Sequence, residues 1–236
     1  MAIDQKNIFM DDRLRQYNCI YCGGLSETRE HIPPKIFLDS PHPEDLPVVP
    51  ACRICNNQKS LDEEYLACLI ECVICGTTDI SKIEREKVKK ALSHSPKLQF
   101  KIENAKHVTG NGLTWTFDRD RVNSIALKLA QGHMVYELYA MMDEPIETYI
   151  SPLCTLPPSM TNLFSLESCW GELDAWPELG SRAFLRAVIA TSPEASVFTP
   201  SWIVIQEGRY RYKVIDHPPS VTVVIREYLG IHVAWE

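Results

Sequence analysis

From Leu61 to Cys75 the apolar positions recur every three or four residues: Leu61, Tyr65, Cys68 or Leu69, then Cys72. That period is the mark of a helix with one buried face, and Gly76 is placed to stop it. A second helix is expected over Ser81–Leu92, where Ser81 and Glu84 have the spacing of a capping box. Lys97–Ala105 and Leu113–Phe117 alternate like strands around the turn signal Gly110-Asn111-Gly112. A longer amphipathic helix follows over Asp120–Met142, carrying Ile125, Leu129, Met134, Leu138 and Met141. Residues 143–175 mix loop and short strand, and Glu178–Thr191 reads as a further helix. SWIVIQEGRYRYKVID reads as two strands joined at Glu207-Gly208, and VTVVIREYLGIHVAWE as another pair around Gly230.

Cys19 to about Leu61 breaks this picture. The stretch is dense in Cys, Pro, Asn and Gly and has no long apolar period, so it needs something besides a core to hold it. The natural cut falls near residues 76–80. The expected class is α+β: a small N-terminal module over residues 1–78, then an α+β region over 79–236 that ends in antiparallel strands.

Charge narrows the function. The net charge is -7, whereas a bare nucleic-acid binder is basic. A general DNA-coating role is disfavoured; a nuclease with local basic residues, or with contacts borrowed from a partner, is not. The N-terminus MAIDQKNIFMDDRLRQ lacks the apolar stretch of a signal peptide. No run approaches the roughly 18 apolar residues of a spanning helix. A cytoplasmic protein without membrane association is expected. In that reducing compartment the nine cysteines are metal ligands or small core residues rather than disulfides.

Four of them form two C-x-x-C pairs, Cys19/Cys22 and Cys52/Cys55. Four thiolates suit a tetrahedral zinc ion, and Gly23 and Gly24 permit the tight turn of a zinc knuckle. The second pair leads straight into a helix over 56–75, so the order is knuckle, loop or hairpin, knuckle, helix. Cys68, Cys72 and Cys75 lie along one helical face and read as packed small groups; Cys154 and Cys169 read as core. His133, in KLAQGHMVYELY, reads as a packed histidine. KIEREKVKK at 82–90 reads as a solvated helix face, and Arg209–Lys213 as an ordinary half-buried strand with charged and aromatic faces.

Between the pairs lies ETREHIPPK. His31 titrates near neutral pH and can take a proton from water, while Glu30 can hold a hard cation through oxygen. Adjacent strand residues point to opposite faces, so the two share a cation only at a bend. Pro33 biases Ile32 toward an extended backbone. Asn56, directly after Cys55, offers a neutral oxygen ligand. Arg29, Lys35, Arg53 and Lys59 are candidates for phosphate contacts. Asp62, Glu63 and Glu64 suit the positive end of a helix, with an extra metal ligand as the sharper alternative.

In combination, CIYC, EHIPPK and CRICNNQKS resemble the HNH endonucleases over about residues 17–65. The resemblance implies a ββα-metal (treble-clef) fold held by structural Zn²⁺ on Cys19, Cys22, Cys52 and Cys55. It implies His31 as the general base, with Glu30 and Asn56 holding a catalytic Mg²⁺ or Mn²⁺. The middle letter of the motif falls near Asp45, a departure from the usual Asn. The activity implied is hydrolysis of DNA phosphodiesters, with RNA not excluded, leaving 5′-phosphate and 3′-hydroxyl ends. The acidic charge and the large second region point further to an effector restrained by a regulatory protein partner or a homo-oligomer, as in anti-phage or restriction systems. The competing expectation is a non-catalytic zinc module that binds nucleic acid or protein.

Overall fold

In the computed structural model of the protein, which describes residues 14, 17–44, 46–110, 112–166 and 202–236, the cysteine-rich stretch builds a hairpin and opens a helix. β1 (Thr28–His31) pairs antiparallel with β2 (Val48–Ala51). β2 runs into α1 (Arg53–Cys75) through Cys52, whose Sγ accepts the Cys55 N–H as the helix N-cap. α1 therefore starts eight residues before the apolar period at Leu61. Its first turns, RICNNQKS, are polar because little packs on them, so periodicity could not mark them. Asp62, Glu63 and Glu64 consequently lie in the third turn, too far along for the helix dipole to account for them. At the other end Gly76 takes φ 68 and its N–H reaches Cys72 and Val73, a left-handed cap that glycine adopts without steric cost.

Two local readings are corrected. Ser81 does not begin a helix: its N–H is held by the Asp79 carboxylate in a 3-10 turn (Ile80–Lys82), and α2 (Glu86–His94) starts five residues later than Ser81. The alternating stretch Lys97–Ala105 is not a strand but α3 (Pro96–Asn104). There Ser95 caps the Leu98 N–H and Pro96 occupies the first turn, a start signal that outweighs the apolar alternation. The strands there are β3 (Lys106–Thr109) and β4 (Gly112–Trp115), paired antiparallel. α4 (Arg119–Leu138) follows, N-capped by Asp118 and ended at Tyr139 with φ 55, short of Met142.

β5 (Glu147–Pro152), α5 (Pro158–Phe164), β6 (Ile203–Gln206), β7 (Tyr210–Ile215), β8 (Ser220–Ile225) and β9 (Leu229–Ala234) complete the chain. The five strands form one antiparallel sheet in the order β5-β9-β8-β7-β6. The architecture is thus mixed helix and sheet, with five α-helices among the described residues. The β8–β9 turn lies at Arg226 and Glu227, both at positive φ. It is not at Gly230, which sits within β9 opposite Val224. Glu178–Thr191 and Cys169 lie outside the described residues.

β7 is buried on both faces rather than half-buried. Tyr210 and Tyr212 face α4, where the His133 ring stacks on Tyr212 at 3.6 Å and shares a 2.8 Å hydrogen bond with the Tyr210 hydroxyl. Burial holds the His133 imidazole well below its ordinary pKa, so it is a neutral packing group. Tyr212 donates to Glu137. On the other face Arg211 and Lys213 lie over the Trp202 ring at 4.0 and 5.1 Å. One hydrophobic cluster takes Leu66, Leu69 and Cys72 from α1, Val88 and Leu92 from α2, Ile125 and Leu129 from α4, and Tyr212, Val223 and Ile231 from the sheet. The expected cut at 76–80 falls at the Gly76 turn, and this cluster draws residues from both sides of it.

α4 also touches the hairpin. A Cβ on Gly132 would stand 2.6 Å from Ile32 Cδ1 and 2.8 Å from Cγ1, and Ile32 has no exposed surface into which to move. Ala in a helix gains roughly 1 kcal/mol over Gly, but overpacking a closed core costs about 1–3 kcal/mol. The clash should win: Gly132→Ala is expected to lose about 1 kcal/mol in urea unfolding, and a gain would refute the close packing of α4 on Ile32.

Candidate metal centre and the adjoining hairpin

The four thiols come from two chain segments that the hairpin brings together. In the first, the Cys19 N–H donates to Gly24 O at 2.7 Å and the Gly23 N–H to Cys19 O at 2.8 Å, with Gly23 at φ 71. This tight turn aims Cys19 and Cys22 at the same point. In the second, the Cys55 N–H donates to Cys52 Sγ at 3.3 Å. The Cys19, Cys22, Cys52 and Cys55 sulfurs all lie within 4.8 Å of one another, with Cys22 and Cys52 at 3.7 Å. A tetrahedron of Zn–S bonds of about 2.3 Å requires sulfurs roughly 3.8 Å apart. All four cysteines are free thiols. The Cys55 N–H, with help from the neighbouring thiols, draws the Cys52 thiol down to about 7, toward the thiolate that metals bind. The donor set and its spacing suit zinc. Among the described residues, no other group of three His, Cys, Asp or Glu gathers its ligand atoms this closely.

The hairpin places the remaining candidates differently from one another. His31 ends β1 opposite Val48 and is half-buried. The Ile32 N–H still bonds Pro47 O at 2.9 Å, and the Ile32–Pro33 peptide is cis. Asn56 stands in the first turn of α1 and reaches back to β1, its amide donating to Thr28 Oγ1 at 3.1 Å. Glu30, one residue before His31, is 5% exposed and points under the strand. There its Oε2 lies 3.1 Å from Lys128 Nζ of α4, and Lys128 also contacts Glu63 of α1. Glu30 and Asn56 thus belong to the same β1–α1 seam but are engaged by different partners, and Glu30 and His31 follow the alternation of the strand. Asp45 lies outside the described residues. Arg29, Lys35 and Arg53 are exposed, whereas the Lys59 ammonium is taken by Ser124. The remaining helix acids are accounted for in part by α4: Asp62 pairs with Arg121.

Lys128 carries no weight in the sequence motifs, and Glu63 enters there only as a helix acid or an extra metal ligand. A signal for Lys128 existed: it falls three residues after Ile125 and next to Leu129, on the apolar side of α4, where a lysine needs a buried partner.

Burial raises the Glu30 carboxyl to about 7; Lys128 pulls it down and Glu63 pushes it up. Tyr21 borders the same cluster, its ring 5.8 Å from Lys128 Nζ. Compared with protein-family models, curated proteins and solved structures, the chain matches none.

Two outcomes are expected. The purified protein should carry one zinc per chain, and Cys19→Ser or Cys52→Ser should lose it by elemental analysis; a folded, zinc-free wild type would remove the metal centre. A carboxyl raised in the folded state stabilises the fold below its unfolded pKa and loses that contribution as pH climbs through the folded value. Between pH 4.5 and about 7 the loss is on the order of 3 kcal/mol at about 1.4 kcal/mol per unit. Relative to Glu30→Gln, wild type should therefore lose stability from pH 5 to pH 8 in urea titrations. Parallel curves would show that Glu30 titrates normally.

Proposed function

We propose that this chain is a zinc-organised, HNH-like endonuclease that hydrolyses DNA phosphodiesters, with His31 as its general base. The observation that carries the reading is the order of parts around the thiols: a knuckle, a hairpin whose first strand ends in His31, and a second knuckle that opens α1. That order is the one the motif resemblance calls for. The metal ties the hairpin to the start of α1, so it fixes His31 and Asn56 relative to each other.

In this reading His31 removes a proton from the attacking water. The new bond forms between that oxygen and phosphorus, the bond from phosphorus to the 3′-oxygen breaks, and the 3′-oxygen leaves to take up a proton from solvent. Exposed Arg29, Lys35 and Arg53 flank the hairpin and helix start and supply phosphate contacts. The resemblance also calls for Mg²⁺ or Mn²⁺ on Glu30 and Asn56, but Glu30 does not fit that role while Lys128 holds its carboxylate. The same observation favours a second reading, a zinc module that binds nucleic acid without cutting it.

Cleavage of supercoiled plasmid in Mg²⁺ or Mn²⁺ separates the two. Loss of a general base costs about 10²–10⁴-fold in rate, so His31→Ala should fall by that factor while retaining zinc. A wild type that shifts DNA in a salt-sensitive manner and never nicks it would put the binding module in place of the nuclease.

A further inference from the structure

Glu30, Glu63 and Lys128 come from β1, α1 and α4, and all three are buried: their side chains are 7%, 9% and 1% exposed. The ammonium lies between two carboxylates, 3.1 Å from one and in direct contact with the other. This is the arrangement of a bridging cation, supplied here by the chain itself. Two buried carboxylates without a cation are strongly disfavoured, and so is a buried ammonium without an anion. A divalent ion that reached Glu30 would have to displace Lys128 from it, leaving the ammonium to Glu63 and the Tyr21 ring.

The helix that carries Lys128 is itself held in place. Five and nine residues farther along α4, His133 bonds Tyr210, and Glu137 accepts from Tyr212. Four residues on, Gly132 fits against Ile32. These contacts pin the α4 backbone that carries Lys128 to both the sheet and the hairpin.

We propose that Lys128 is the resident counter-cation of Glu30, standing where an HNH-like site would carry a divalent ion and keeping such ions off this carboxylate. The proposal takes from the nuclease reading only the assignment of Glu30 as the acidic ligand. It is decided by metal binding, so it stands or fails independently of cleavage.

The test is Mn²⁺ binding to the zinc-loaded full chain at pH 8, followed by electron paramagnetic resonance, with melting temperature measured in parallel. Wild type and Glu30→Gln should bind Mn²⁺ alike. Lys128→Met should gain a site at least tenfold tighter than any in wild type and melt higher with Mn²⁺ than without it. Lys128→Met/Glu30→Gln should lose both effects. Lys128→Gln, which keeps most of the stem packing, is run beside it. If either single variant folds only in Mn²⁺, that too supports the proposal. It is overturned if wild type binds Mn²⁺ through Glu30, if the Lys128 variants fold but gain no site, or if they stay unfolded with Mn²⁺ present.

Discussion

Four thiols that must meet within 4.8 Å set the terms for the N-terminal third of this chain. β1 and β2 are four residues each, and a two-stranded hairpin of that size is marginal in water. The sulfurs close it by joining the turn at Cys19–Gly24 to the first turn of α1. Where a metal binds only the folded arrangement, its binding energy becomes folding energy. The Cys52 cap and the Cys55 N–H on its sulfur make the helix start out of residues of the same four-thiol cluster. A metal held by the four sulfurs would also fix the direction in which α1 leaves the hairpin.

α4 is the second organiser, and it works by packing and charge. Its Gly132 admits Ile32, its Lys128 meets Glu30 and Glu63, and its His133 and Glu137 meet the tyrosines of β7. A helix that is polar by composition at these positions is nevertheless buried along most of its length. Its buried Lys128, His133 and Glu137 each have a specific partner, which is the condition for burying such groups at all.

The parts of the fold legible in the sequence were those governed by local chemistry. The four-cysteine grouping, the Gly76 stop and the β6–β7 hairpin follow from spacing and turn residues close together in the chain. Reading failed where two local signals competed, as at Lys97–Ala105, where alternation lost to the Ser95 cap and Pro96. It failed again at Gly230, which marks a close approach of Phe164 and Leu153 rather than a turn. The EHIPPK motif located the hairpin and its histidine. What lies beneath Glu30 was invisible there, because Lys128 is 98 residues away and the pairing exists only after α4 docks. The Arg209–Lys213 strand likewise hid its second buried face, where Arg211 stacks on Trp202 and reaches the distant Phe164 carbonyl.

Lys128 reaches the hairpin from well beyond Gly76, and this bears on how the chain can be divided. A fragment ending after α1 would keep all four clustered thiols and every motif residue, yet hold Glu30 and Glu63 with no ammonium between them. A piece that runs through Leu138 restores that ammonium, but still leaves buried Glu71 without Arg226 and Glu137 without Tyr212. Any chimera that exchanges the C-terminal region must carry α4 with the N-terminal donor, or import a helix with a cation at the same turn.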